Sequence, residues 1–226
     1  MTVIFKSKET TIVKLSDGKY KITYPYLDNT KKFWANFPWP ALKIVEKIGL
    51  GEGIRNKIFK ATSVQTLPQF LTKEKKLTYE QAFRLLQMIG NFIKTLERFA
   101  ICIPSFELKD IIVVDDHSFF LVEDSNNTHI WNSEIEIKNP TILKNYQRNK
   151  FSAPEIQNIT SFPEQISSTV SYYNLAALTV FCLFKKYLTN KHSDEDILNP
   201  IYQTQLFWTL KRCLHKTATE RFFLII

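Results

Sequence analysis

Residues 78–122 read TYEQAFRLLQMIGNFIKTLERFAICIPSFELKDIIVVDDHSFFLV, and this stretch decides the fold class. Thr78 and Gln81 have the spacing of a capping box, in which a hydroxyl and an amide each accept a backbone hydrogen bond at the start of a helix. Apolar residues recur at positions 82, 85, 86, 89, 93 and 96, which predicts one buried helical stripe ending near residue 100. Ile111–Val114 and Phe119–Val122 then predict a β-hairpin that is covered on both faces. The succession of a long helix and a hairpin predicts an α+β fold.

The rest of the chain carries further signals of regular structure. Asp17-Gly18 lies between two β-prone runs and predicts a hairpin over residues 10–24. Apolar spacing and capping residues predict three more helices, at residues 41–48, 171–188 and 199–214. Residues 171–188 are apolar almost all round, which is typical of a buried central helix. Residues 123–150 are polar and rich in Asn, and they are predicted to form a loop.

The charge of the chain is concentrated near its N-terminus. The net charge is +8 over 226 residues, and residues 1–80 hold fifteen Lys and Arg against seven Asp and Glu, whereas the remainder is balanced. Such an excess favours a nucleic-acid or acidic partner, while a solvated lysine-rich face is the plainer interpretation. With 44% hydrophobic and 23% charged residues, the composition is that of an ordinary globular protein and excludes a disordered or collagen-like chain.

Cysteine usage and hydropathy indicate the compartment. Cys102, Cys182 and Cys213 are widely spaced and odd in number, so no disulfide framework is expected. No signal peptide and no membrane-spanning run is recognisable, so a membrane partner is not expected and an intracellular protein, cytoplasmic or nuclear, is predicted. The Ile-, Lys- and Asn-rich composition is typical of AT-rich genomes, including those of large DNA viruses, so the chain could act in a virus or a host cell.

The order of a long helix, a hairpin, a loop, Ala-Pro-Glu and a buried helix resembles the C-terminal lobe of protein kinases. Residues 103–113 (IPSFELKDIIV) lie where that family has HRDLKPENILV. Residues 151–155 (FSAPE) match the end of its activation segment, and residues 213–221 (CLHKTATER) resemble its CLxxDPxxR motif. The resemblance implies a protein kinase-like α+β fold, with a reduced, β-containing N-terminal lobe at residues 1–65 and a mainly helical C-terminal lobe at residues 66–226.

The positions that carry the family's chemistry are altered in this sequence. The position of the catalytic base holds Ser105, whose hydroxyl cannot take the proton of the attacking nucleophile at neutral pH. The position of the catalytic-loop lysine holds Glu107, a charge reversal that should repel a γ-phosphate. The metal-binding positions hold Asp110 and Glu123, or Asp124 in a register one residue later, and these carboxylates could still bind Mg²⁺.

Positions that hold the family's lobe together are better retained. Glu155 and Arg221 occupy the places of its buried ion pair, whereas Ser171 replaces the aspartate of the central helix that supports the catalytic loop. Residues 49–53 (GLGEG) are similar to a glycine-rich phosphate loop, but the third glycine comes one residue early. A helix terminated by glycine is the alternative for this stretch.

The resemblance and these substitutions together predict a pseudokinase, a protein-interaction or scaffold and regulatory module that transfers no phosphate and needs no cofactor. A first alternative is a divergent kinase that binds ATP and Mg²⁺ through Asp110, Glu123 and Asp124 and keeps weak activity, so the question of an enzyme stays open. A second alternative is a peptide-binding module similar to the kinase non-catalytic C-lobe domain. Nucleic-acid binding through residues 1–80 is a third and less favoured one.

Overall fold

The structure of the chain is a computed structural model that describes residues 1–8, 10–16, 18–50, 53–122, 127–188 and 194–225. Helices are mixed with small antiparallel sheets, in agreement with the predicted α+β class. Two compact units are present, one formed by Met1–Lys75 with Leu108–Asn127 and the other by Lys76–Glu107 with Thr128–Ile226. The predicted division of the chain at residues 65 and 66 into two lobes stays a prediction.

The elements follow one another along the described chain. The strands are β1 (Thr2–Lys6), β2 (Thr11–Lys14), β3 (Lys19–Pro25), β4 (Lys43–Leu50), β5 (Ile54–Lys60), β6 (Val64–Thr66), β7 (Ile101–Cys102), β8 (Ile111–Val114), β9 (Ser118–Leu121), β10 (Thr128–His129), β11 (Glu134–Ile137) and β12 (Glu164–Ser167). The helices are α1 (Asp28–Asn36), α2 (Leu67–Glu74), α3 (Tyr79–Arg98), α4 (Pro140–Arg148), α5 (Pro154–Gln157), α6 (Val170–Phe184), α7 (Asp194–Leu198) and α8 (Gln205–Cys213). None of the described helices is long and apolar enough to cross a bilayer.

The first unit is built on a five-stranded antiparallel sheet in the order β1-β2-β3-β5-β4. The predicted hairpin over residues 10–24 is confirmed, since Ile12 pairs with Ile22 across β2 and β3. Gly18 closes this hairpin with a φ of +68°, a conformation that residues with a Cβ atom rarely adopt. On one face of β3, the ring of Tyr24 lies 4.5 Å from that of Trp34 in α1, so this helix covers the apolar face of the sheet.

The helix predicted at residues 41–48 is wrong. Lys43–Leu50 is strand β4, which pairs along its length with β5. Ile44, Val45 and Ile48 are compatible with both a helical and an extended pattern, but β-branched side chains favour a strand once a partner strand is present. Gly49 therefore lies within a strand and does not terminate a helix; Gly51 and Glu52 lie outside the described residues.

A second sheet of the first unit consists of β6, β8 and β9. The predicted hairpin at residues 111–122 is confirmed, and all four residues of β8 are buried, as expected for a strand covered on both faces. Its turn holds Asp115 and Asp116, both with positive φ. The Asp115 carboxylate accepts hydrogen bonds from the amide of Thr62 at 2.6 Å and from that of Ser63 at 3.2 Å, so it caps the segment that leads into β6.

The second unit is organised around α3 and α6. The capping box of α3 is confirmed: Thr78 Oγ1 accepts from the Gln81 amide at 3.2 Å, and the Thr78 amide donates to Gln81 Oε1 at 3.0 Å. The predicted apolar stripe of this helix is buried throughout. A Cβ atom on Gly90, in the middle of α3, would lie 2.1 Å from the Phe223 ring, so the chain's C-terminal segment packs directly on the helix backbone.

Three sequence interpretations of this unit need correction. The predicted loop at residues 123–150 contains β10, β11 and α4, while residues 123–126 lie outside the described residues. The central helix ends at Phe184, where Lys185 adopts a left-handed conformation, and not at Leu188. The last predicted helix is interrupted, because Thr204 caps a new helix, α8, after a short 3-10 turn.

Candidate functional site

The segment that aligns with the kinase catalytic loop is anchored to α6. Ser171 Oγ donates a hydrogen bond to the carbonyl of Ile103 at 2.8 Å. One turn further along the helix, Asn174 Oδ1 accepts from the amide of Phe106 at 2.6 Å. Both helix residues are buried. The Ser171 hydroxyl therefore contacts the backbone of this segment, and it carries no charge that could stabilise a neighbouring cation.

Ser105 is part of a buried network of neutral groups. Its residue is 3% exposed, and its hydroxyl accepts a hydrogen bond from Asn149 Nδ2 at 2.7 Å and lies 3.1 Å from Ser152 Oγ. Asn149 Nδ2 also donates to the Phe106 carbonyl at 2.9 Å. Ser152 in turn donates to the Tyr146 carbonyl at 2.6 Å. The Ser105 hydroxyl is therefore enclosed among structural hydrogen bonds, where it neither meets solvent nor holds a charge.

Of the other candidate positions, Glu107 and Asp110 are described and belong to different units. Glu107 is half-buried and belongs to the second unit, whereas Asp110 is 5% exposed and belongs to the first. The Asp110 carbonyl accepts from the Val122 amide at 2.9 Å, which closes the base of the β8–β9 hairpin. The remaining candidate metal ligands, Glu123 and Asp124, lie outside the described residues. Within the described part of the chain, no group of three or more His, Cys, Asp or Glu side chains is arranged to hold a metal ion.

Glu155 and Arg221 form a bidentate ion pair in the second unit. Arg221 Nη1 donates to Glu155 Oε1, and Nη2 lies 3.1 Å from Oε2. The Arg221 side chain has no exposed surface, whereas 22% of the Glu155 side chain is exposed. Arg221 Nε donates to the His215 carbonyl at 2.7 Å, and the guanidinium lies 4.8 Å from the Tyr173 ring centroid. This pair fixes the residues after α8 to the start of α5.

Two asparagines of the network were not recognised as site residues from the sequence. Asn149 contacts Ser105, Phe106 and Phe151, and Asn174 lies in the first half of a largely apolar helix. A buried amide needs partners, so a lone Asn within an apolar helix is itself a signal of a buried polar contact. No sequence signal identifies Asn149, because it lies at the end of a polar stretch.

The cysteines offer no nucleophile. All three are free and buried, so the expected absence of disulfides among them is confirmed. Burial raises the pKa of the Cys102, Cys182 and Cys213 thiols to about 12 in each case, so none is a thiolate at neutral pH. Their packing is that of small apolar side chains.

An open hollow of about 420 Å³ lies beside Glu155. Its lining mixes polar and apolar groups and comes from Glu155, residues 158–161, residues 164–167 and Ala218. Because it is open to solvent, it lacks the enclosed, water-excluding form of a typical catalytic pocket. We therefore assign no reaction to it.

Comparisons with known proteins leave the family of the chain open. Neither the protein-family models nor the curated proteins contain a match to this sequence.

Proposed function

We propose that this protein is a pseudokinase-like scaffold, which has a protein kinase-like fold, performs no phosphoryl transfer and presents its surface to a protein partner. The observation that carries the proposal is the contrast between two aligned positions. The Glu155–Arg221 pair has the buried, bidentate contact that a structural role requires. The base position, Ser105, instead lies in a neutral buried network.

The architecture of the first unit supports the resemblance. A kinase N-terminal lobe consists of a five-stranded sheet and a helix, and the first unit contains an antiparallel sheet of five strands with α1 between β3 and β4. This sheet also favours the pseudokinase over the C-lobe-type peptide-binding module, because that family lacks an N-terminal lobe. The domain is therefore proposed to keep both parts of a kinase in reduced form.

The absence of chemistry follows from the side chains at the aligned positions. Phosphoryl transfer needs a carboxylate to orient and deprotonate the nucleophile and positive charge to stabilise the transferring phosphate. Ser105 supplies a hydroxyl that already accepts a hydrogen bond from Asn149. Glu107 supplies negative charge where the family has a lysine. Neither substitution could be compensated by a small movement, because both change the chemical nature of the group.

An exposed aromatic surface supports a protein partner. Tyr202, Trp208, Phe222 and Leu224 are each between 43% and 57% exposed, and we call them the C-terminal aromatic surface. The Arg212 guanidinium lies 5.5 Å from the Phe222 ring centroid and donates to the Leu224 carbonyl at 3.2 Å. Exposed aromatic side chains beside an arginine are typical of the centres of protein–protein interfaces.

Photocrosslinking tests this surface. A photoreactive amino acid in place of Trp208 should give one defined crosslinked protein in the cells that produce the chain. Trp131 is the matched control, because it is a tryptophan that is 75% exposed and lies outside the surface. The same crosslinked pattern from both positions would contradict a partner at the C-terminal aromatic surface.

The divergent kinase remains the second candidate because Asp110 retains a metal-binding type of side chain. Thermal unfolding of the chain, measured with and without ATP and each time with and without Mg²⁺, separates the divergent kinase from the pseudokinase. A ligand at about 100 times its dissociation constant adds roughly 2.7 kcal/mol to stability, which raises the melting temperature by about 5 °C or more. The pseudokinase predicts no Mg²⁺-dependent shift. A shift that the Asp110→Ala variant abolishes would favour the divergent kinase instead.

A further inference from the structure

Four lysines share one face of the five-stranded sheet, opposite the face that α1 covers. Tyr20, Ile22 and Tyr24 of β3 are buried on the covered face, and the alternation of a strand therefore places Lys19 and Lys21 on the other. Lys60 of β5 pairs directly with Lys19, and it also pairs with Lys43 of β4. We call Lys19, Lys21, Lys43 and Lys60 the lysine face.

The register places like charges directly opposite one another. Neighbouring strands are about 4.8 Å apart, so the side chains of Lys19, Lys60 and Lys43 start within roughly 10 Å of each other. Lys19, Lys43 and Lys60 are exposed, and Lys21 is half-buried. Like charges on directly paired residues destabilise a sheet. The row therefore opposes folding, which is typical of residues that are kept for binding.

The described structure contains no internal neutralisation of this charge. None of the four ammonium groups forms an ion pair with a carboxylate among the described residues. Glu46 is the one acidic residue in the sequences of β3, β4 and β5. It pairs with Ile58 of β5, and Ile58 pairs on its other side with Lys21 of β3. One carboxylate against four lysines leaves the face strongly positive.

Protection of a sheet edge does not explain the row. Lysines on edge strands prevent the pairing of one sheet with another, and Lys43 on the edge strand β4 could serve that purpose. Lys19 and Lys60, however, lie on β3 and β5, which have a neighbouring strand on both sides. A charged pair in the middle of a sheet does not protect an edge, so a ligand is the better explanation.

We propose that the lysine face binds the phosphate backbone of a nucleic-acid duplex without reading its sequence. Lysine is a compact point charge and a common ligand of phosphate groups, and a row of lysines on paired strands suits a regularly spaced polyanion. The lysine face contains no aromatic side chain on which an unpaired base could stack. Ile58, the apolar residue that pairs with Lys21 on this face, is only 9% exposed and so offers little of the exposed apolar surface that membrane insertion needs. The inference concerns the first unit alone and does not depend on the proposed function.

The salt dependence of binding gives the expected magnitude. Each phosphate that a lysine neutralises contributes about −0.9 to the slope of log K against log salt for duplex DNA. Four contacts therefore predict a slope of about −3.6, and the association constant should fall roughly 150-fold between about 50 and 200 mM salt. Removal of three contacts should leave a slope of about −0.9, which is a three- to fourfold fall over that range.

Fluorescence anisotropy with the full chain tests this proposal. The probes are labelled DNA and RNA duplexes of about 20 base pairs, and the two arms tell which nucleic acid supplies the phosphates. The variant combines Lys19→Gln, Lys43→Gln and Lys60→Gln. The matched control combines Lys144→Gln, Lys186→Gln and Lys216→Gln, which removes the same charge from exposed positions of the second unit.

The lysine-face variant should lose most of the salt dependence for at least one duplex, and the control should keep it. Unfolding of the lysine-face variant should occur at the same temperature as in the parent or above it, because repulsion is removed. Equal losses in both variants would overturn the proposal, since net charge alone would then explain binding. Absence of duplex binding at about 50 mM salt, or binding to phosphatidylserine vesicles in its place, would also overturn it.

Discussion

The guanidinium of Arg221 and the ammonium groups of the lysine face carry the same charge in opposite surroundings. Arg221 is enclosed by a carboxylate, two backbone carbonyls and an aromatic ring. Lys19, Lys43 and Lys60 are exposed and stand next to one another. A charge that the fold neutralises supports the fold, whereas a charge that the fold leaves uncompensated is available to a ligand.

The largest loss of stability is expected when the Arg221 guanidinium loses its partner. Glu155→Ala leaves a charge with no exposed surface unpaired, and it should lower the free energy of unfolding by about 3–5 kcal/mol. Urea denaturation measures this loss. Glu195→Ala is the control, because it removes an exposed ion pair with Lys211 and should change stability by less than about 1 kcal/mol.

A double-mutant cycle sharpens the same prediction. The double variant Arg221→Met, Glu155→Leu removes both charges. Its loss of unfolding free energy should be smaller than the sum of the losses in the single variants Arg221→Met and Glu155→Leu. Additive losses would mean that the two side chains support the fold independently and that the pair is not the structural unit proposed for it.

A smaller loss is expected where the C-terminal segment packs on α3. Gly90→Ala should lower the free energy of unfolding by about 1–3 kcal/mol, because its Cβ atom would lie 2.1 Å from the Phe223 ring. Asn91→Ala, at the exposed neighbouring position, should be neutral or stabilising because alanine favours the helix. Thermal unfolding of both variants measures the difference.

A second substitution tells why Gly90→Ala destabilises. Phe223→Leu should be less harmful in the Gly90→Ala background than in the parent, because the shorter side chain gives the new methyl group room. If Phe223→Leu is equally harmful in both backgrounds, Phe223 is not the residue that Gly90 accommodates.

A loss of about 1 kcal/mol is expected for Ser105→Ala. Asn149 Nδ2 keeps the Phe106 carbonyl as an acceptor, and Ser152 Oγ keeps that of Tyr146, so neither of these two donors loses all its acceptors. Asn149→Ala should cost more, because it also removes the acceptor of the Phe151 amide. Urea denaturation ranks the two variants. The reverse order would mean that Ser105 and not Asn149 is the centre of the network.

The smallest effect is a pH dependence from the first unit. Desolvation opposes ionisation of Asp115, but the hydrogen bonds from Thr62 and Ser63 prevail and hold its pKa below the usual value of 3.8. The contribution of Asp115 to stability is therefore complete above the unfolded-state pKa and is lost as the pH falls through the lower folded-state value. Asp115→Ala should reduce the loss of stability on acidification, measured by urea denaturation at about pH 5 and pH 3. An unchanged acid dependence would show that the turn does not hold this carboxylate.

Local signals in the sequence were sufficient for some elements and not for others. The α3 stripe and its capping box depend on residues three and four apart, so they could be read directly. Strand β4 was mistaken for a helix, because its Ile and Val residues fit both periods until β5 provides a partner. Helix α4 was missed because its exposed side is polar and only Leu143 and Tyr146 are buried.

Some residues of the candidate site could likewise be predicted from the sequence, whereas others could not. The alignment of motifs identified Ser105, Glu155 and Arg221, since it follows order along the chain. The contacts of Asn174 with Phe106 and of Asn149 with Ser105 join residues 68 and 44 positions apart. A lone Asn in an apolar helix indicates that Asn174 has a buried polar partner, but no local pattern identifies that partner or predicts the contact of Asn149, because the packing of α6 and of the segment after α4 creates both contacts. The lysine row likewise becomes visible only when the strand register is known.

The protein is proposed to keep a kinase-like scaffold without phosphoryl transfer. Incorporation of the terminal phosphate of radiolabelled ATP into the protein and into generic acceptor proteins tests it most directly, with Mg²⁺ or Mn²⁺ present. A pseudokinase should show no incorporation above that of the Asp110→Ala variant. Incorporation by the parent protein that Asp110→Ala abolishes would contradict the account and identify a working kinase.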